Sequence, residues 1–284
     1  MNFLSRLRGC LWVMPAFLML AACKQRIKYA KSPPHYNFQE GFTDKLDLKI
    51  KEISGVVYDP KNNVFICHND EAGKIYFLDR ETKMIKEEIS FAGKGDYEDI
   101  ALVKGTIYIL RSDGLITKIM TDSTGKYFGA EVGKVPLAGT NDFETLYYDE
   151  NRKALIAICK NCQGDTKRNV SAFAYYPDSS GFDIRPVFVI DAEEVKRLAP
   201  EKTSHFQPSA AAIHPVLKKL FIISSASNEL VIADTDGNVE SVFILSKKLF
   251  PQPEGITFKN SGDMYISNEG ITSKATLIRF SYKP

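Results

Sequence analysis

One unit recurs five times along this chain: a short polar opening, a strand, a turn, then a very apolar strand. "SGVVYDPKNNVFICHND" begins at Ser54, "EDIALVKGTIYILRSD" at Glu98, "ETLYYDENRKALIAICKN" at Glu144, "SAAAIHPVLKKLFIISSAS" at Ser209 and "EGITFKNSGDMYISNEG" at Glu254, at intervals of 44, 46, 65 and 45 residues. Each of the first four openings is followed by two more strand-like runs, such as "KIYFLDR" with "MIKEEISF" and "ELVIADT" with "VESVFIL". The runs are rich in Val, Ile, Tyr and Phe, and turn signals such as "SDG", "DENRK" and "KNSGD" separate them. Four strands per unit at this spacing is what a β-propeller blade requires. The expected fold is all-β, a five-bladed β-propeller of four-stranded antiparallel blades. A six-bladed ring would need a hidden blade between 144 and 209, where 65 residues are too few for two; a helix candidate, "DAEEVKRLAP" (191–200), and the "CQGDTKRN" loop fill that interval. A β-sandwich would leave the regular period unexplained. The last unit stops one strand short, and "DKLDLKIK" (44–51) is expected to complete it and close the ring, removing the exposed sheet edges.

The innermost strand of a blade lines the central channel, so the five openings, Ser54, Glu98, Glu144, Ser209 and Glu254, fall at one rim. Three carboxylates facing one another across a narrow channel repel, and either hold on to protons or take up a cation. Calcium suits such a site, since it is hard, takes six to eight oxygens and tolerates irregular geometry. Glu98, Glu144 and Glu254 are the expected metal ligands, with Ser54, Ser209, Asn69 and Asn268 as contributors on the same face. Asp113 and Asn161 end second strands in the same way, and residues of these types there are commonly turn formers. The alternative is that the glutamates accept backbone N–H groups from neighbouring blades or stay free in a wet channel. Other chemistries find no support. "DTDGN" (234–238) opens like a calcium loop but reaches Leu245 where the closing acid should stand, so it reads as a hairpin turn. Ser209 lacks the Gly-x-Ser-x-Gly elbow of a serine hydrolase. The four histidines do not cluster, and with 37 basic and 35 acidic residues the chain lacks the balance of a nucleic-acid binder.

The N-terminus reads as an export signal. Arg6 and Arg8 precede an apolar run, "GCLWVMPAFLML" (9–20), which ends in Leu20-Ala21-Ala22-Cys23. This resembles a lipobox, so residues 1–22 are expected to be removed and Cys23 to carry lipid. The processed chain would hold 35 basic and 35 acidic residues, so the lipid on Cys23 would have to provide the hold on the membrane. Residues 23–40 are then a tether and 41–284 the propeller. Lys24 is not the aspartate-type retention signal, which favours the periplasmic side of the outer membrane. Of the remaining cysteines, Cys159 and Cys162 read as an apolar strand end and its following loop, where a disulfide is possible in an oxidising compartment; a zinc site would need a second ligand pair.

The motifs "EISGVVYD", "YEDIAL", "FETLYYD", "FQPSAAAIHP" and "PQPEGITF", followed by "GDMYISNEG", together resemble the SdiA-regulated (YjiK-like) family of bacterial envelope proteins, from about residue 45 onward. The resemblance implies a five-bladed propeller distantly related to NHL repeats, with a calcium ion at a shared site, and supplies no reaction. The functional expectation is a non-catalytic envelope lipoprotein that offers its propeller face to a protein or small-molecule ligand. The alternative is a calcium-dependent hydrolase of phosphoester or lactone type; a scaffold with an empty channel is a third reading.

Overall fold

The computed structural model describes residues 32–199 and 205–284. Residues 1–22 and Cys23 lie outside the described residues. Five antiparallel sheets form the molecule. The first blade is built from β2 (Ile53–Asp59), β3 (Val64–Asn69), β4 (Ala72–Asp79) and β5 (Ile85–Lys94), after a lone strand β1 (Phe42–Lys45). The second holds β6 (Tyr97–Val103), β7 (Thr106–Arg111), β8 (Leu115–Thr121) and β9 (Tyr127–Lys134). In the third, β10 (Asn141–Asp149), β11 (Ala154–Cys162) and β12 (Asn169–Tyr176) are followed by an outer position split between β13 (Gly181–Phe182) and β14 (Phe188–Asp191), both paired with β12. The fourth holds β15 (Ala210–Ile213), β16 (Leu220–Ser224), β17 (Glu229–Ala233) and β18 (Val239–Ile244). The fifth has β19 (Pro253–Phe258), β20 (Met264–Asn268) and β21 (Thr276–Phe280), with β1 as its outermost strand. The inner strands β2, β6, β10, β15 and β19 neighbour one another in that order, and β19 meets β2. The ring is five-bladed, so the six-bladed alternative falls.

There is no single core. Five clusters of buried side chains each fill the gap between two adjacent blades. Ile66, Ile75, Ile100 and Ile109 join the first two blades, for example, and Phe65, Cys67, Tyr265 and Leu277 join the fifth to the first. This explains the sequence pattern. A second strand such as β16 is buried at every position because it is packed on both faces, whereas β9 on the outside is buried at none.

Closure comes slightly earlier in the chain than expected. Phe42 to Lys45, rather than 44–51, pair with β21, Phe42 opposite Arg279 and Lys45 opposite Thr276. Residues 48–50 form a turn of 3-10 helix capped by Asp47, which ends the extended run. The expected tether is also shortened from its C-terminal end. Tyr36 and Phe38 are buried against the fourth and fifth blades. The Tyr36 hydroxyl donates to Gly262 O and meets His214 Nε2 at 2.6 Å, while His214 Nδ1 accepts from Val216 N and Leu217 N. The helix α1 (Ala192–Leu198) forms as expected, with Asp191 accepting from Glu193 N and Glu194 N. Asp234 likewise accepts from Asp236 N and Asn238 N in a plain hairpin turn. Among the described residues no helix is long and apolar enough to cross a membrane.

Candidate metal centre

Each glutamate of the repeated opening sits at a break in the ladder of its inner strand. Tyr97 pairs with Arg111 and Asp99 with Leu110, so Glu98 is the extra residue of a β-bulge. Pro253 pairs with Asn268 and Gly255 with Ser267, which leaves Glu254 in the same position. Phe143 pairs with Cys159 and Thr145 with Ile158, leaving Glu144 over; on the facing strand Lys160 is left over in turn. A bulge turns one side chain out of the strand's alternation and re-aims it. Here the re-aimed side chains all line one cavity of about 330 Å³ at the channel mouth. The backbone is crowded at two of these strands. A Cβ on Gly55 would come within 2.5 Å of Asp99 Oδ1, and one on Gly255 within 2.4 Å of Ser267 Oγ. That is why "SG" and "EG" open their units.

The cavity is more acidic than three glutamates. Glu52, Asp70, Asp96, Asp142 and Glu269 line it beside Glu98, Glu144 and Glu254, with Gln252, Ser54, Ile53 and, among the described residues, a single cation, Lys160. Glu98, Asp142 and Glu144 each bring a carboxylate oxygen within 4.8 Å of the others. Glu254 lines the same cavity, and of the charged groups around it Glu144 acts on it most strongly. Lys160 bonds Glu144 and lies 3.7 Å from Asp142. It is held between Cys159 and Cys162, which form a disulfide; β11 runs on through Cys162, so the expected loop is strand. So many carboxylates cannot all ionise together. Burial first, and then Glu144, Asp96 and Asp142, push Glu98 up to about 9. Burial and then Glu144 push Glu254 up to about 8. Burial also raises Glu144, against the lowering pull of Lys160.

The other expected contributors take different roles. Ser54 lines the cavity, but its hydroxyl donates to Glu98 O at 2.5 Å. Ser209 lies off the cavity lining, with its hydroxyl on Pro253 O at 3.0 Å. Both serines tie one inner strand to the next. Asn69 and Asn268 also lie off the lining; the Asn69 amide donates to Lys49 O and that of Asn268 to Thr276 Oγ1. Their successors, Asp70 and Glu269, face the cavity instead, as strand alternation requires. Asp113 pairs with Arg111 and Lys134 at the surface, and Asn161 lines a separate small pocket beside Cys162 and Asp165. His68 is buried. Its Nε2 accepts from Gly55 N and its Nδ1 donates to Asn69 O, so it braces the first inner strand.

A donor set of hard, anionic, irregularly placed oxygens fits calcium chemistry. Two oxygens on one calcium ion can lie no more than about 4.6–5.2 Å apart, and the Glu98, Asp142 and Glu144 oxygens, all within 4.8 Å of one another, fall inside that limit. The Lys160 ammonium already neutralises part of this group, so a cation entering there would compete with it.

A family model described as SdiA-regulated matches residues 35–271. No curated protein matches the chain. Among solved structures the chain is similar to a glutaminyl cyclase of Myxococcus xanthus, with a TM-score of 0.57 and 13% identity over 86% of this chain and 96% of that one. It is similar to a structural genomics protein of unknown function from Bacteroides thetaiotaomicron, with a TM-score of 0.53 and 11% identity over 84% and 70%. It also resembles a luciferin-regenerating enzyme, with a TM-score of 0.51 and 10% identity over 85% and 95%. At such identities the likeness shows the fold alone.

Proposed function

The chain belongs to the SdiA-regulated family, and from that premise we propose that it is a calcium-binding, non-catalytic module of the bacterial envelope. Glu98, Glu144 and Glu254 hold the ion, with Asp142 as a fourth carboxylate, and the propeller face around them receives a protein or small-molecule ligand. The observation that carries this reading is the repeated bulge: four blades break their ladders at the same place, and three of the breaks deliver a carboxylate into one cavity, the fourth bringing Ser54. Like charges placed together by repeated local distortion have a physical use if a cation joins them. The cation would add stability by binding only the folded form.

Calorimetric titration of the chelator-treated protein tests this. One calcium ion per chain is expected, with magnesium much weaker because of its tighter octahedral demand. No heat and no change in melting temperature would remove the reading. Phosphoester or lactone hydrolysis that calcium supports and chelation abolishes would replace it with the hydrolase. The envelope part of the proposal rests on Leu20-Ala21-Ala22-Cys23. Lipid on Cys23 would hold the protein at the periplasmic side of the outer membrane. Labelled palmitate should enter the wild type and not Cys23→Ser; equal labelling of both would refute the anchor.

A further inference from the structure

A second charged cavity lies at the far end of the blades, between the fifth and the first. Its volume is about 210 Å³, and Phe42, Asp44, Arg80, Glu81, Lys83, Lys259, Tyr265 and Arg279 line it. Lys259 follows the end of β19 away from Glu254. Arg80 and Lys83 come from the turn between β4 and β5, and Asp44 from the closing strand β1. Four cations therefore meet two carboxylates. Lys83 lies 3.4 Å from Asp44 and also donates to Arg80 O, while Arg80 pairs with its neighbour Glu81. That leaves Lys259 and Arg279 with no carboxylate partner among the described residues. Asp263, which with Glu81 acts on the Lys259 charge, accepts from Tyr282 N. The Lys259 ammonium lies instead over three rings, 5.3 Å from the centre of Tyr265, 5.4 Å from Tyr58 and 5.8 Å from Phe65. The Arg279 guanidinium lies 5.7 Å from the Phe42 ring. Burial, and then Arg80, lower the Lys259 pKa, so the ammonium is held at a cost there.

We propose that this cavity binds a phosphoryl group, with Lys259 and Arg279 supplying its two unpaired charges. The pairing follows from their chemistry. A guanidinium grips a phosphoryl oxygen pair through two parallel N–H groups, and a lysine supplies a compact charge beside it. A dianion offsets the repulsion that Arg80 and Lys83 exert on the Lys259 ammonium in this small cavity. It would also touch the turn of the first blade, a strand of the last and the strand that closes the ring, so binding should strengthen closure.

The test is the melting temperature of the purified protein in inorganic phosphate, against chloride at matched ionic strength and without added calcium. A saturable rise of a few degrees is expected in phosphate alone. It should be lost in Lys259→Met, which keeps the apolar stem on the aromatic rings. Arg279→Gln, on an exposed position of β21, should weaken the phosphate response at least tenfold without disturbing the fold. An equal rise in chloride, or full responses in both variants, overturns the proposal. Flotation with phosphatidylglycerol or phosphatidylcholine vesicles identifies the source. Capture by the anionic vesicles that inorganic phosphate displaces and Lys259→Met abolishes means a lipid headgroup. A phosphate response without capture means a free phosphoryl ligand, and neither effect means the cavity holds no phosphoryl group.

Discussion

The two ends of the channel are made by the same five strands and have opposite character. At one end lie eight carboxylates around one lysine. At the other, a cavity of about 240 Å³ is lined mostly by residues such as Tyr58, Leu102, Tyr148, Ile213 and Phe258, with Asp99, Glu150, Thr257 and Asn260 as its polar members. The change takes only two residues. Glu254 is the bulged residue of β19, whereas Ile256 pairs in register with Ile266 and is buried between blades. Val56, Ile100, Leu146 and Ala211, the corresponding residues of the other inner strands, are buried as well. A propeller strand therefore gathers its carboxylates where its ladder breaks at the mouth; where the ladder is intact most buried side chains are apolar, and a carboxylate such as Asp99 is held there by backbone N–H groups, those of Ile100 and Leu146.

The largest effect should come from moving charge across this boundary. Ile256→Glu places in a packed interface the residue type that is native at 254. It should cost on the order of 4 kcal/mol, an uncompensated buried charge, and show as a collapse of melting temperature or as aggregation. A stable Ile256→Glu protein would mean that both ends tolerate charge and that the comparison fails.

A smaller change should follow at the acidic end. Glu98 and Glu254 ionise near 4.5 when unfolded, but the fold holds them up to about 9 and about 8. Their contribution to cation-free stability is then fully present below about pH 4.5 and is lost as the pH rises through 8 to 9. Melting in chelator should fall over that range. Calcium at one hundred times its dissociation constant should restore about 2.7 kcal/mol. In Glu98→Gln/Glu254→Gln both the slope and the calcium response should disappear. A slope that survives in the double variant would assign it elsewhere.

The smallest effect concerns Lys160. Lys160→Met removes the resident competitor for Glu144 and should tighten calcium binding about tenfold, or about 1.4 kcal/mol. Weaker binding by this variant in a calorimetric titration would show that the lysine organises the site rather than opposing the ion.

The repeat made the ring and the three glutamates legible, because blade spacing and strand order are written in hydrophobic runs and turns. The cavity's second tier carried a signal of the same kind. Glu52, Asp96, Asp142 and Gln252 each stand two residues before an opening, so the same period holds a second polar position. Asn69 and Asn268 missed the cavity by one residue, since alternation sends Asp70 and Glu269 there instead. Lys160 could not be read at all. It reaches Glu144 through paired bulges on facing strands, and a bulge depends on local ladder geometry rather than on residue type. Ser54 reaches the cavity lining and Ser209 does not, and their partners, Glu98 O and Pro253 O, are backbone atoms that no side-chain pattern announces.

The pairing of Phe42 with Arg279 also sets an order of events. A strand near one end of the sequence must find one near the other, and contacts this distant in sequence form late because loop closure costs entropy before it is rewarded. Four sheets can assemble from neighbouring segments, while the fifth waits with β21 as an open edge. During that interval the molecule is a template for its own aggregation. The slow step in folding should therefore be ring closure, and β1 should be the segment whose amides are protected last.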